Sequence, residues 1–213
     1  MFYISSQHIL TERFLTTMRS NKLYLVRHLE TRENKSGIIL GQKNIQLDKN
    51  STRRFKVTKF PPVQAILCSP LQRCVVTAEL IKEQYASACN MVIPIMTLPQ
   101  LLERNMGIWE GKLKKEVMNN NISLFRSNYM IPSVTPPKGE SLEEFVKRGH
   151  EVLKIAKSKL SAGSLMLCSH NQMLKLIIHL YYNDRSLGHW NEISLQYGLI
   201  TDIGSFEEMI TSR

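Results

Sequence analysis

Short apolar runs that stop abruptly at polar, chemically competent residues recur along the chain. Residues 23–26 (Leu, Tyr, Leu, Val) run into Arg27 and His28, and residues 65–68 run into Ser69, Pro70 and then Arg73. Residues 164–168 run into Ser169 and His170, and residues 91–96 lead through Leu101 and Leu102 to Glu103 and Arg104. Runs this short, bounded by polar residues, predict strands. Helical spacing fills the stretches between them. Cys74, Ala78, Ile81 and Tyr85 form the apolar stripe of a helix predicted from Ser69 as N-cap and Pro70 as first helical residue to about Tyr85. Ser141 and Glu144 make a capping box for a second helix, which Leu142, Phe145, Val152, Leu153 and Ala156 carry to about Ser161, with Gly163 beyond its end. Further expectations are a helix over 172–182, a basic helix over 51–59 stopped by Pro61 and Pro62, and a final strand over 195–203. Residues 35–49 read as a loop, and 112–138 as a short helix plus a lid-like insertion.

Strands alternating with helices predict an α/β fold, a three-layer sandwich with a mostly parallel central sheet and helices on both faces. In such a sheet the C-terminal strand ends share a crevice where ligands bind. His28, His170, Arg27, Arg73 and Glu103 are therefore expected in one pocket. A histidine and an arginine leaving a strand end together suit attack on, and retention of, a phosphoryl group.

The length of 213 residues fits one domain, read here as 21–213 after an amino-terminal extension over 1–20. That extension carries Arg13 and Arg19 among hydroxyl residues, in the manner of an organelle transit peptide, but Glu12 argues against that reading, and Met18 offers an alternative start. A formal net charge of +10 would attract an anion. The basic residues are scattered and no nucleic-acid motif accompanies them, so steering of a small phosphorylated metabolite is expected, with neither nucleic acid nor membrane as partner. Cys68, Cys74, Cys89 and Cys168 show no metal-ligand spacing, which points to free thiols and a reducing, cytoplasmic compartment. No apolar run is long enough to span a bilayer. The sequence leaves the oligomeric state open.

Five motifs in order carry a resemblance over roughly residues 22–205. They are Arg27-His28 with Glu30, Thr31 and Asn34; Gly41-Gln42 through Leu47; Ser69-Pro70-Leu71-Gln72-Arg73 with Thr77-Ala78-Glu79; Leu102-Glu103-Arg104-Asn105-Met106-Gly107 with Trp109-Glu110-Gly111; and Pro136-Pro137-Lys138-Gly139-Glu140-Ser141 followed by Ser169-His170. Together they resemble the histidine phosphatase (phosphoglycerate mutase-like) superfamily, and the Gly37, Gly41-Gln42 and Leu47 pattern resembles its fructose-2,6-bisphosphatase and α-ribazole phosphatase branches. The resemblance implies hydrolysis of small phosphomonoesters through a phosphohistidine on His28, without a metal or other cofactor. It implies that Arg27 and Arg73 bind the phosphoryl group, with His170 as a third donor if protonated beside the phosphate, that Glu103 handles the leaving-group proton, and that Asn34 and Gln42 touch substrate. For Glu103, partial burial favours that role, and a neighbouring Arg104 opposes it.

Two departures qualify the match. Leu29 and Asn171 stand where the family usually has glycine after each histidine, and a required positive φ would strain them and crowd the pocket. The small insertion over 112–138 favours a phosphatase over a mutase. A phosphoglycerate mutase-type phosphotransferase and a non-catalytic phospho-ligand binder remain the alternatives. Trp109 is expected to be a packing residue or a pocket wall, and Trp190 a packing residue.

Overall fold

A computed structural model describes residues 21–211; the extension over 1–20 lies outside the described residues. Five strands form the central sheet: β1 (Leu23–Arg27), β2 (Ala65–Cys68), β3 (Ile95–Thr97), then, beyond a small two-stranded hairpin, β6 (Leu165–Ser169) and β7 (Ile200–Asp202). The hairpin strands are β4 (Phe125–Arg126) and β5 (Tyr129–Met130). The spatial order of the sheet is β3-β2-β6-β1-β7, parallel except for β7 at the edge.

The helices are α1 (Arg32–Lys35), α2 (Lys49–Arg54), α3 (Gln72–Cys89), α4 (Lys114–Asn120), α5 (Leu142–Leu160), α6 (Asn171–Tyr181) and α7 (Glu207–Thr211). The two-residue alternation of the strands distributes the core between two faces. Leu23, Leu25, Leu67, Leu165 and Leu167 pack with Val152 and Ala156 of α5 and Leu174 and Ile178 of α6. Val26, Ile66, Cys68, Met166 and Cys168 pack with Cys74, Ala78, Ile81 and Tyr85 of α3. This is the expected three-layer sandwich. β2 and β6 are buried along their whole length, so they read as unbroken apolar runs and not as alternating ones.

Register places the chemistry. β1 and β2 flank β6, with Arg27 opposite Ser169 and Cys68 opposite Cys168. The residues that follow, His28, Ser69 and His170, therefore emerge side by side at one sheet edge.

Several element boundaries differ from expectation. α3 begins at Gln72, with Leu71 in the N-cap position and no side-chain cap. The Ser69 hydroxyl is engaged by His170 instead, so Pro70 lies outside the helix. The basic helix is shorter and earlier than expected, and residues 55–62 are irregular chain between α2 and β2. Asp48 at its N-cap position bonds Lys35 and not the helix backbone. The last strand keeps only Ile200–Asp202, because residues 195–199 leave the ladder through Gly198 at φ +71°. β3 starts at Ile95, after Pro94, which has no N–H for a ladder. The Ser141–Glu144 capping box is present, a motif whose cap residue contributes about 1 kcal/mol. Within 112–138 the chain forms α4 and the β4–β5 hairpin, whose turn residues Ser127 and Asn128 both take positive φ. Among the described residues no helix is long and apolar enough to cross a membrane, and all four cysteines are free thiols.

Candidate active site

A cavity of about 180 Å³ opens at the C-terminal edge of the parallel strands. Arg27, His28, Arg73 and Glu103 line it, joined by Asn34 and Asn171.

His28 is only 3% exposed, and its Nδ1 lies 2.7 Å from the Leu29 carbonyl. A carbonyl oxygen only accepts, so Nδ1 carries the hydrogen and the neutral ring leaves the Nε2 lone pair free. Burial, and after it the Arg73 guanidinium, holds the His28 pKa well below the usual histidine value, against the bond to Leu29, which acts the other way. This environment favours the neutral ring, the form in which an imidazole is nucleophilic.

His170 is fully buried, with its ring centroid 5.1 Å from that of His28. Arg73 Nε donates to its Nδ1 at 3.1 Å, so Nε2 carries the hydrogen and donates to Ser69 Oγ at 2.8 Å. Burial first, then Arg73, depresses its pKa strongly. A further cation among buried guanidinium groups is unfavourable, so this environment favours the neutral ring over the protonated donor, and His170 is not among the residues that line the cavity.

Arg73, 1% exposed, is clamped by carbonyls: Nη1 donates to Lys43 O at 2.6 Å and Nη2 to Gly41 O at 2.8 Å. Gly41 has φ +49°, and a Cβ there would collide with the Glu110 carboxylate. That carboxylate accepts from Gln42 N and Met106 N at 2.9 and 3.0 Å, tying the Arg73 loop to the Glu103 segment. Arg27 donates through Nη1 to Leu195 O and through Nη2 to the Tyr197 hydroxyl, at 3.2 and 2.8 Å.

Glu103 accepts from Arg104 N and Met173 N on Oε1, and from Gln172 N on Oε2, at 2.9 to 3.2 Å. Two of these donors belong to the first turn of α6, where N–H groups have no intrahelical partner. The Arg104 guanidinium turns away to the carbonyls of Pro132, Val134 and Glu140.

The remaining expected residues divide. Asn34 lines the cavity, and its Oδ1 accepts from Thr31 N and Oγ1 in the cap of α1. Gln42 does not reach the wall; its Nε2 donates to Glu103 O at 2.9 Å and supports that segment. Leu29 neither adopts positive φ nor crowds the cavity. Its side chain packs on Gly198, where an added Cβ would lie 2.5 Å from Leu29 Cδ2. Asn171 is simply the first residue of α6, with its side chain at the cavity. Trp109 packs with Met106, Val117 and Met130, and Trp190 packs in the main core while also lining the cavity.

Sequence reasoning missed the outer wall. Lys114 lines the cavity and lies 4.9 Å from the Tyr129 ring centroid, and Lys175 lies 4.7 Å from it. Lys175 is 1% exposed, donates to Trp190 O at 2.7 Å, and is pushed down to about 8 by burial and then by Arg27 and Lys114. Tyr197 beneath Arg27 was also missed. Lys114, Tyr129 and Tyr197 lie far in sequence from His28 and His170; Lys175, five positions after His170, offered the one signal, a lysine inside the apolar run of α6.

The sequence pattern of the histidine phosphatase superfamily (branch 1) matches residues 23–210. An adenosylcobalamin/alpha-ribazole phosphatase of Salmonella typhimurium is 24% identical over 194 residues, covering 84% of this chain and 93% of that protein. Among solved structures, the alpha-ribazole phosphatase from Shigella flexneri superposes with a TM-score of 0.61 at 19% identity, over 85% of this chain and 94% of that one. A phosphoglycerate mutase from Thermus thermophilus gives a TM-score of 0.56 at 26% identity, over 85% of this chain and 89% of that one.

Proposed function

This chain belongs to the histidine phosphatase superfamily, and on that premise we propose that it hydrolyses small phosphomonoesters through a phosphohistidine on His28. One observation carries the reading: His28 is locked as the Nδ1–H tautomer with Nε2 free, on a cavity wall shared with two arginines and a carboxylate.

Nε2 attacks phosphorus in line with the ester oxygen. The N–P bond forms as the P–O bond breaks, and protonated Glu103 gives its proton to the departing alkoxide. The Nδ1–H bond to Leu29 persists and supports the charge that the ring gains. Glu103, now a carboxylate, takes a proton from water as the water attacks phosphorus, and the P–N bond breaks to release inorganic phosphate and neutral His28. Arg27 and Arg73 bear the negative charge spread over the equatorial oxygens, a role for which guanidinium forks are suited. No step calls on a cofactor.

The small phosphorylated metabolite is the proposed partner. Lys114 beside Tyr129 on the cavity wall suits a leaving group that carries further negative charge. The compact α4 and hairpin segment supports hydrolysis over transfer, while the likeness to a mutase keeps transfer as the second reading. Of the two residues that motivate a non-catalytic binder, Leu29 lies outside the cavity and Asn171 lines it, so less supports that reading than supports hydrolysis.

The test is phosphate release from p-nitrophenyl phosphate and a panel of phosphorylated metabolites, with EDTA present, for wild type and His28→Ala. Release that persists with EDTA and disappears in the variant supports the proposal. Exchange of phosphate between carbons of phosphoglycerate without net release would replace it by the mutase reading, and a folded wild type with neither activity would overturn both.

A further inference from the structure

Arg27 ends β1 at a point where the edge strand β7 is no longer alongside, and the irregular segment 195–198 takes its place. Arg27 and Tyr197 form an isolated parallel bridge, and Gly198 N donates to Arg27 O at 2.8 Å. Three groups of this segment reach the Arg27 side chain. The Leu195 carbonyl accepts from Nη1, the Tyr197 hydroxyl accepts from Nη2 at 2.8 Å, and the guanidinium carbon lies 3.8 Å from the centroid of the Tyr197 ring. The same ring stands 5.8 Å from that of His28.

An arginine side chain has many rotamers, so one that must meet a transferring phosphoryl group in a single orientation has to be held. Tyr197 supplies both a flat cation-binding face and a hydrogen-bond acceptor. Burial pushes its phenol pKa up, so the hydroxyl stays neutral. With both Nη atoms tied back, Arg27 Nε is left buried without a partner among the described residues. A buried, cationic N–H without an acceptor is costly, and a phosphoryl oxygen in the cavity would satisfy it. The tyrosine itself is not on the cavity wall. Its backbone is anchored from behind: Gly198 takes φ +71°, and a Cβ there would strike both Leu29 Cδ2 and the Phe55 ring.

We propose that Tyr197 is a positioning residue for phosphoryl transfer, acting through Arg27 by holding its guanidinium in one orientation against the group that His28 receives. Leu29 belongs to the same device, since it packs against Gly198 and fixes the segment that carries the tyrosine. The proposal rests on the phosphotransfer reading of the cavity.

The experiment compares wild type, Tyr197→Phe, Tyr197→Leu, Arg27→Ala and the double variant Arg27→Ala/Tyr197→Leu in the full chain, without chelator. It measures kcat/KM for p-nitrophenyl phosphate and the inhibition constants of orthovanadate and orthophosphate. An inhibition constant does not depend on how much of a sample is folded, so a merely structural role would leave it unmoved. Vanadate, which mimics the five-coordinate transition state, should bind about 3–10-fold more weakly to Tyr197→Phe and about 30–100-fold more weakly to Tyr197→Leu, with kcat/KM falling in parallel and orthophosphate affected less. The double variant should be no worse than Arg27→Ala, because the tyrosine works only through that arginine. A vanadate constant within about twofold of wild type in Tyr197→Phe overturns the proposal, and so does a Tyr197→Leu penalty that persists in full on the Arg27→Ala background. If wild type binds vanadate without turnover, the same affinity ratios from calorimetry decide the matter. A wild type that neither turns over nor binds vanadate removes the phosphotransfer reading, and the positioning role falls with it.

Discussion

The floor of the cavity and its outer wall differ in what holds them. Under the floor, which His28 and Arg73 line, three adjacent parallel strands in fixed register deliver His28, Ser69 and His170, and the side chains interlock: Arg73 on His170, His170 on Ser69, His28 on its own backbone. On the wall, Lys114 and Tyr129 come from α4 and a two-residue hairpin, meeting through a cation over a ring that is itself 38% exposed. A register-locked floor suits reactive groups that tolerate little displacement. A wall built from an insertion alters with little effect on the sheet, which suits substrate selection. Substitutions on the floor should therefore act on kcat, and those on the wall on KM.

The largest expected effect is His28→Ala, which removes the nucleophile and should lower kcat by about 10⁴-fold or more while the thermal midpoint stays near that of wild type. Steady-state rates with a melting curve check it, and a loss below tenfold would break the assignment of chemistry to the floor. Glu103→Gln should follow, with about a 10²–10³-fold loss on alkyl phosphates but far less on p-nitrophenyl phosphate, whose leaving group needs no proton. Equal losses on both esters would deny the carboxylate its proton-handling role. Arg73→Lys keeps the charge but cannot span His170, Gly41 and Lys43 at once, so kcat should drop by about 10²-fold. A lysine variant near wild-type rate would mean that charge alone suffices there.

Lys114→Ala tests the wall. KM should rise about 5–20-fold for substrates bearing a second anionic group and barely move for p-nitrophenyl phosphate, with kcat unchanged for both. A fall in kcat instead would erase the distinction between wall and floor. The smallest signal is in pH. Both histidines have pKa values depressed well below 6.5, so they stay neutral in the folded protein while the unfolded chain takes up protons. Their contribution to stability is thus complete above about pH 6.5 and is lost progressively as pH falls below it. Chemical denaturation between pH 7.5 and 5 should show that loss, and His170→Asn should make it shallower. For the same reason kcat/KM, corrected for ionisation of the substrate, should show no acid limb centred near 6.5.

Much of the floor was legible because period and punctuation are local. Apolar runs ending at Arg27-His28, Ser69 and Ser169-His170 mark strands whose ends must converge once the sheet is parallel. Residues whose roles depend on distant partners were not legible. Ser69 looked like a helix cap, yet His170, about a hundred positions away, engages its hydroxyl. Gln42 looked like a substrate contact and serves the backbone of Glu103. Leu29 looked like an obstruction, because nothing near it in sequence announces that Gly198 leaves room for its side chain. Tyr197 carries no local motif at all, and Lys175 shows only as a lysine inside an apolar helix.

By itself the sequence determined the layer architecture, the sheet-edge location of the chemistry and the family, since each follows from short-range periodicity and the order of motifs. Only the tertiary structure decided which ring nitrogen of each histidine bears the hydrogen, that burial lowers the pKa of His170, and that Tyr197 grips Arg27. The physical reason is that protonation, tautomer and orientation are set by burial and by donors and acceptors that folding brings together, and these interactions have no period along the chain.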